Sequence, residues 1–389
     1  MKRPLKESLL SNLRCTACNS KYDPHQIHTT CPRCGKILFA EYEVEEAKEN
    51  ILKLKKRNFN IWRFSEVMPV IDLKYQYTLG EGWTPLLKLR KSAKNLDNLF
   101  LKDEGLNPTG TFKSRGLCAA VSKAKELGIA KFVIPTAGNA GAALAAYCAR
   151  ADAEAHIFMP ADTPEMLIAE IRMLGGNLTL VDGLINKAAA IAHEKSLKFN
   201  WFDVSTLKEP YRVEGKKTMA FEIVEQQNWE VPDVIIYPTG GGTGIVGMWK
   251  AFNELEGLGL IGSERPRMVS VQAEGCAPIW KAFQKNQAKA EIFDNASTLA
   301  SGLRIPKAFG DYLILKTIYD SKGTVIKVTD EEILRAMNIL AKNEGVLQAP
   351  EAAATYAALD YLIENNFVDK REKIILFGTG SGLIYPHLW

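Results

Sequence analysis

The sequence predicts an α/β protein: two doubly wound domains with parallel sheets, preceded by a small module built on cysteines. Three observations predict it. From about residue 78, short apolar runs alternate with segments of helical period, the order that builds parallel sheets covered by helices on both faces. The apolar runs lead into polar or glycine-rich turns, "LNPTGTFKS", "PTAGNAG", "PTGGGTG" and "GTGSG". Ahead of them the cysteines fall as Cys15-x2-Cys18-x12-Cys31-x2-Cys34.

Each Cys-x2-Cys pair is a tight turn that points two thiolates at one spot, and two such knuckles complete a tetrahedral four-sulfur zinc site, a zinc ribbon. Four thiolates close the shell, so this zinc is read as structural, and His25 and His28 between the pairs as surface residues. The next stretch, "EYEVEEAKENILKLKKRNFNIWRFSEVMPV", reads as a charged linking helix and an aromatic-rich docking segment. "NLFLKDE" (98–104) is a short strand, and residues 112–128 carry helical periodicity that stops at Gly128. "KFVIPTAGNAG" (131–141) is strand then turn, "AALAAYCARA" a small-residue helix, "EAHIFMPADTP" the next strand. Residues 232–252 repeat strand, glycine turn and helix, "PRMVSVQAEGCAPI" does so in part, and the strand at 372–382 again ends in glycines. The expected division is 1–45 for the ribbon, 46–105 with 206–389 for a large domain, and 106–205 for a smaller one.

Composition excludes several functions. With 389 residues, 47% of them hydrophobic, the chain has enough for more than one core. A formal charge of +4 and no basic block beyond the mild "KLKKR" near residue 53 make nucleic acid no obvious partner. The start, "MKRPLKESLLSNLRC", lacks an apolar core of signal length, and no segment approaches the roughly 20 apolar residues of a membrane span, so the cytoplasm is the expected location. Seven cysteines in this pattern fit metal better than a disulfide framework.

In open parallel sheets ligands bind beyond the carboxyl ends of the strands, where the unusual turns all fall. "PTGGGTG" (238–244) combines glycines that admit a ligand close to the backbone with a helix N-terminus that favours an anion, most simply phosphate. By itself it is equally a mere tight turn; it has neither the Walker ending nor the dinucleotide spacing. Lys113, in "PTGTFKSRG", opens a helix whose field disfavours a cation, and a partly neutral amine forms a Schiff base with an aldehyde; the alternative is an ordinary surface lysine. A phosphate cradle and a reactive lysine together suggest pyridoxal 5′-phosphate.

"LKDEGLNPTGTFKSRG", "PTAGNAGAALAAYCAR" and "PTGGGTGIVGMWKAF" resemble the lysine, asparagine and phosphate motifs of the fold-type II pyridoxal-phosphate enzymes, in family order from about residue 78 to the end. "LGEGWTPLLKL", "EPYRVEGKKTMAFEI", "VQAEGCAPI", "ASGLRIPKAFG" and "GTGSGLIYP" resemble the threonine synthase branch, whose short forms carry an N-terminal zinc ribbon. The resemblance implies that Lys113 holds the cofactor covalently and shuttles protons, Asn139 meets the ring's phenolic oxygen, Gly240, Gly241, Gly242, Thr243 and Gly244 grip the phosphate, and Thr379 meets the pyridine nitrogen. It implies conversion of O-phospho-L-homoserine and water to L-threonine and phosphate, by a homodimer. The substrate carboxylate would rest on the N–H groups around Thr136, Ala137 and Gly138, and its phosphate on Arg212, with Ser114 and Arg115 from the lysine motif. Lys216 and Lys217 are further cations offered to that phosphate, though they read more readily as a solvated helix face, and Arg304 is a weaker candidate.

Other residues read as structural: Cys118 and Cys148 as core thiols, His156, His193 and His387 as structural or surface groups, Cys276 and Glu274 as either structural or functional. Ala137 stands where many relatives have serine, which leaves room for a threonine or serine dehydratase or a cysteate synthase-like paralogue; a non-catalytic ribbon protein that docks a partner is the alternative of another class. Intact Lys113, Asn139 and Thr379 oppose the last.

Overall fold

The computed structural model describes residues 8–51 and 54–388. Residues 1–7 of the expected ribbon segment, Lys53 at the start of the basic run, and Trp389 lie outside them. The strands are β1 Leu10–Cys15, β2 Lys21–Tyr22, β3 Leu38–Tyr42, β4 Leu86–Lys88, β5 Asn98–Asp103, β6 Lys131–Pro135, β7 Glu154–Pro160, β8 Asn177–Val181, β9 Phe202–Asp203, β10 Val234–Pro238, β11 Arg267–Ala273, β12 Thr324–Val328 and β13 Lys373–Gly378. The chain clusters into two compact units, Met1–Trp83 with Lys113–Met219 and Asn253–Leu260, and Thr84–Phe112 with Ala220–Phe252 and Ile261–Trp389.

The first unit opens with an antiparallel sheet in the order β2-β1-β3, where Cys15 pairs with Leu38 and Leu10 with Tyr42. The expected linking helix is short, Val44–Ile51, and single 3₁₀ turns follow it. The aromatic segment then buries Ile61, Trp62, Phe64 and Val67, and Arg63 lies over the rings of Phe59 and Trp83 at 4.8 and 5.0 Å. The unit's second sheet is parallel, in the order β8-β7-β6-β9. Helices Asn139–Arg150 and Ile185–Phe199 lie against its central strands.

The second unit holds a six-stranded sheet, β12-β11-β10-β13-β5-β4. Its pairs are parallel except β4 with β5, where Leu86 faces Lys102. The chain between them, residues 89–97, is too short for a crossover, so these neighbours form an antiparallel edge. Alternate residues of the inner strands (Leu99, Leu101, Val234, Ile236, Ile374, Leu376) share one core with helix Pro350–Glu364. Their opposite-face neighbours Ile235, Ile375 and Met268 are buried too, which is why these strands read as continuous apolar runs. From β10 the chain proceeds outward through β11 to β12, whereas β13 returns on β10's other side. Such a reversal opens a crevice at the carboxyl ends.

Candidate active site

In the second unit the glycine loop follows β10. Thr239 donates its N–H to the Val271 carbonyl (2.7 Å), and the first bond of the next helix runs from Val246 N–H to the Gly242 carbonyl (3.1 Å). The N–H groups of residues 243–245 therefore precede the intrahelical ladder and are available to an anion, with the helix dipole behind them. Glycine is required here by space. A Cβ at Gly240 would collide with the Gly302 carbonyl oxygen, one at Gly244 with the Tyr237 hydroxyl, and one at Gly242, whose φ is +81°, with the Ile314 side chain.

Beside it, the turn after β5 is fastened to the turn after β13. Gly110 accepts the Ser381 N–H (2.8 Å), Phe112 donates to the Thr379 carbonyl (3.1 Å), and Thr111 forms a β-bridge with Gly380. The Phe112 ring meets Tyr237 of β10 edge-on, 6.0 Å between centroids at 83°. Lys113 is the next residue, so one peptide bond connects it to a backbone pinned at Thr379. Approach to this point is strained: Thr109 has φ +57°, a left-handed conformation rare for a β-branched residue. Asp103 supports the same turns, accepting Gly105 N–H (3.1 Å) and Gln348 Nε2 (3.0 Å), and burial pushes its carboxyl above the ordinary value.

In the first unit, the loop after β6 places Asn139 at the first position of helix Asn139–Arg150. Gly138 has φ +122°, and a Cβ there would strike Leu167. The amide oxygen of Asn139 is buried without a hydrogen-bond partner, so the side chain is aimed at a group that the protein does not supply. Thr136 N–H is spent on the Phe158 carbonyl (2.9 Å), and Gly138 N–H on the Thr136 hydroxyl (3.1 Å). Of the three N–H groups expected to receive a carboxylate, that of Ala137 is the one for which no such internal bond is seen; in the helix's first turn Gly141 and Ala142 N–H are spent on the Gly138 carbonyl (2.8 and 3.1 Å).

The cations differ from expectation in their surroundings. Lys216 and Lys217, read as a solvated face, are both fully buried. Lys217 bridges Glu214 one helical turn before it (2.6 Å) and Glu254 of another helix (2.7 Å); these carboxylates hold it inside, and the pairing with Glu254 is one that the periodicity of its own helix cannot show. Arg115 is also fully buried, with Nη1 donating to the Thr218 hydroxyl (3.0 Å). Ser114 is enclosed within reach of Tyr147, whose hydroxyl donates to Glu81 (2.6 Å). Arg212 lies beyond the carboxyl end of β9, Nη1 donating to the Val204 carbonyl (2.6 Å) and Nε buried without a partner. Its cap is Glu209, missed in the sequence, whose carboxylate takes the N–H groups of Tyr211 (2.7 Å) and Arg212 (2.9 Å); burial, opposed by the Arg212 charge, pushes its carboxyl up to about 7. Glu274 is exposed and paired with Lys327 (2.5 Å). Arg304 is half-buried, and the coulombic influence of its charge on Cys276 opposes the burial that pushes that thiol up to about 11. Cys118, Cys148 and Cys276 are buried.

The sulfurs of Cys15, Cys18, Cys31 and Cys34 all lie within 4.8 Å of one another. Cys15–Cys34 is 3.4 Å and Cys18–Cys31 3.6 Å, close to the roughly 3.8 Å that tetrahedral bonds of about 2.3 Å dictate. This donor set fits a soft tetrahedral metal. His28 instead contacts the Asp23 carbonyl (3.1 Å), and His25 is exposed. His156 stacks on Trp201 at 3.6 Å, while His193 and His387 are exposed. No helix among the described residues is long and apolar enough to cross a membrane.

The glycine cradle and helix N-terminus of the second unit suit a phosphate-bearing cofactor, the Asn139 amide of the first unit is left with an unmet hydrogen-bonding group, and the comparisons with known proteins name such a cofactor. The pattern of the family "Pyridoxal-phosphate dependent enzyme" matches residues 77–380. The chain is 36% identical to a threonine synthase of Methanocaldococcus jannaschii over 378 residues, 96% of this chain and 93% of the relative. It is 33% identical to one of Methanosarcina acetivorans over 96% of this chain and 92% of the relative. Among solved structures, maize serine racemase superposes with a TM-score of 0.69 at 22% identity, over 79% of this chain and 90% of that one. The processed threonine deaminase isoform 2 of Solanum lycopersicum gives 0.67 at 20%, over 93% and 90%. At these identities the structures speak for the fold. The curated relatives speak for more: the chain is a lyase of the pyridoxal-phosphate dependent enzyme family and belongs to its threonine synthases.

Proposed function

We propose that this chain converts O-phospho-L-homoserine and water to L-threonine and phosphate, by elimination at Cγ and addition of water at Cβ. The observation that carries the reading is Lys113, one residue beyond a backbone fastened to Thr379, in a chain similar over nearly its whole length to threonine synthases. When bound, pyridoxal phosphate supplies an electron sink for carbanions at the substrate's α and β carbons.

The protein's part is positioning and proton movement. Lys113 would hold the cofactor, and its amine is the group that would take the α proton and move protons at Cα and Cβ. The N–H groups of Gly240, Gly241, Gly242, Thr243 and Gly244 would hold the cofactor phosphate, and the Asn139 amide would meet its phenolic oxygen. Thr379 serves the pyridine nitrogen; a neutral hydroxyl tempers the sink compared with a carboxylate. In the loop of Thr136, Ala137 and Gly138, the Ala137 N–H receives the substrate carboxylate. Arg212, whose Nε lacks an internal acceptor, receives the substrate phosphate, with Ser114 and Arg115 shaping that side. Zinc on the four cysteines is structural, since four thiolates leave no position for substrate. The resemblance also supports a homodimer in the cytoplasm, for which mass in solution is the check on assembly.

The test compares O-phosphohomoserine, O-phosphoserine and threonine as substrates of one preparation, with Lys113→Ala as control. Threonine and phosphate should form from the first alone. The visible band of the bound cofactor should change in Lys113→Ala, with turnover falling by at least about 10³-fold. Turnover of O-phosphoserine or threonine without that of O-phosphohomoserine overturns the substrate.

A further inference from the structure

We propose that Tyr42 is a positioning residue through which the cysteine ribbon supports the helices that carry Lys113 and Arg212. Tyr42 ends β3, the strand that follows Cys34 and pairs with the strand ending at Cys15. Its ring is buried, and its hydroxyl donates to Glu214 at 2.8 Å. The Lys217 ammonium lies 4.0 Å from the ring centroid, donates to Glu214 (2.6 Å) and forms an ion pair with Glu254 (2.7 Å). Two carboxylates thus share one ammonium, and Tyr42 supplies a further donor. Burial, then the charge of Glu214, hold its hydroxyl well above the ordinary value, so it remains that donor.

Glu214 adjoins the point where helices Lys113–Glu126 and Arg212–Gln226 touch. A Cβ at Gly215 would collide with the Arg115 carbonyl, and one at Gly116 would come 2.9 Å from the Arg212 carbonyl. The backbones therefore meet without side chains to absorb a displacement, one residue from Glu214 and two from Lys113. Close-packed contacts of this kind transmit small shifts instead of damping them. Metal on the four sulfurs fixes β1 and β3; β3 fixes Tyr42; Tyr42 fixes the buried charges; and those fix the helix crossing. The ribbon is a strut of the site and not an independent appendage.

The experiment strips metal from the full-length, cofactor-loaded enzyme with a chelator, verifies the loss by metal analysis, and follows amide hydrogen exchange and turnover. Exchange in residues 212–226 should quicken about tenfold and kcat fall about tenfold, with the cofactor band retained. Metal-replete Tyr42→Phe should show both effects already, and chelating it should add less than about twofold, since the two perturbations break one path. Unchanged exchange after metal loss overturns the coupling. So do effects of chelation and Tyr42→Phe that multiply, exchange that quickens equally in β10, β11 and β13, or a Tyr42→Phe that lowers only thermal stability. The kcat readout rests on the roles given to Lys113 and Arg212, whereas the exchange readout needs no substrate. A wrong substrate assignment would leave the exchange coupling intact.

Discussion

Gly242→Ala should damage both the fold and the cofactor cradle, by an amount the local structure sets. Gly242 has φ +81°, and an added Cβ would run into Cδ1 and Cγ1 of Ile314, a fully buried side chain. The left-handed backbone costs a residue with a Cβ about 1–2 kcal/mol. Overpacking against Ile314 adds about 1–3 kcal/mol. The sum, roughly 3 kcal/mol, is a large part of a typical folding stability of about 5–15 kcal/mol. If the loop yields instead, its N–H groups move off the phosphate, and each 1.4 kcal/mol lost weakens cofactor binding about tenfold. Urea unfolding and cofactor titration of Gly242→Ala, Ile314→Ala and the double variant separate the terms. The double variant should be about 1–3 kcal/mol more stable than the sum of the single losses, because removing the Ile314 branch relieves the collision and not the backbone strain. A Gly242→Ala protein with wild-type unfolding midpoint and cofactor affinity, or zero coupling to Ile314, refutes the reasoning.

Two further outcomes follow from buried charges. The Glu209 carboxyl, pushed from 4.5 to about 7 by burial, keeps a proton in the native state that the unfolded chain releases, so it costs stability as pH rises from about 4.5 through 7; relative to Glu209→Gln, wild type should lose roughly 3 kcal/mol between pH 4.5 and 8. Equal differences in urea unfolding at the two ends would contradict this. Lys102, fully buried, bonds Glu222 (3.0 Å), Gln226 (2.9 Å) and the Thr84 carbonyl (2.7 Å), so Lys102→Met strands a buried carboxylate and should cost about 3–5 kcal/mol, with most of it recovered in Lys102→Met/Glu222→Gln. A loss of under 1 kcal/mol by the same assay would show that the pair is dispensable.

The inner strands were legible because burial on both faces demands apolar runs, as in "PDVIIYP" and "EKIILFG". Strands β8, β9 and β12 escaped that reading, and all three lie at sheet edges. "NLTLV" keeps one residue of five fully buried, so its composition is that of a half-wet surface. Where the charged linking helix gives way to the aromatic segment was not legible, because charge continues along the stretch; the helix spans Val44–Ile51, and from Leu54 3₁₀ segments lead to the buried aromatics.

The chemistry of the site divides in the same way. The cysteine knuckles could be read from their own spacing, Lys113 and the glycine loop were suggested by their place at helix starts, and Asn139 came from the resemblance of its motif; each of these is a local device, a turn whose residue types and spacing set its own backbone. The settings of Arg115, Arg212, Lys216 and Lys217 could not. A basic residue at helical spacing looks the same in water and in a core, and what encloses these is set by the folded surroundings: Arg115 reaches Thr218 and Lys217 reaches Glu254 and Tyr42, all far along the chain, while Arg212 folds back on the Val204 carbonyl eight residues before it. Sequence alone therefore determined the fold class and the pairing of the four cysteines, and pointed to Lys113. Only the tertiary structure decided which charges are enclosed, which N–H groups are already spent, and how a ribbon tyrosine meets a helix more than 150 residues away, because burial and pairing are properties of the folded neighbourhood and leave no local mark on the chain.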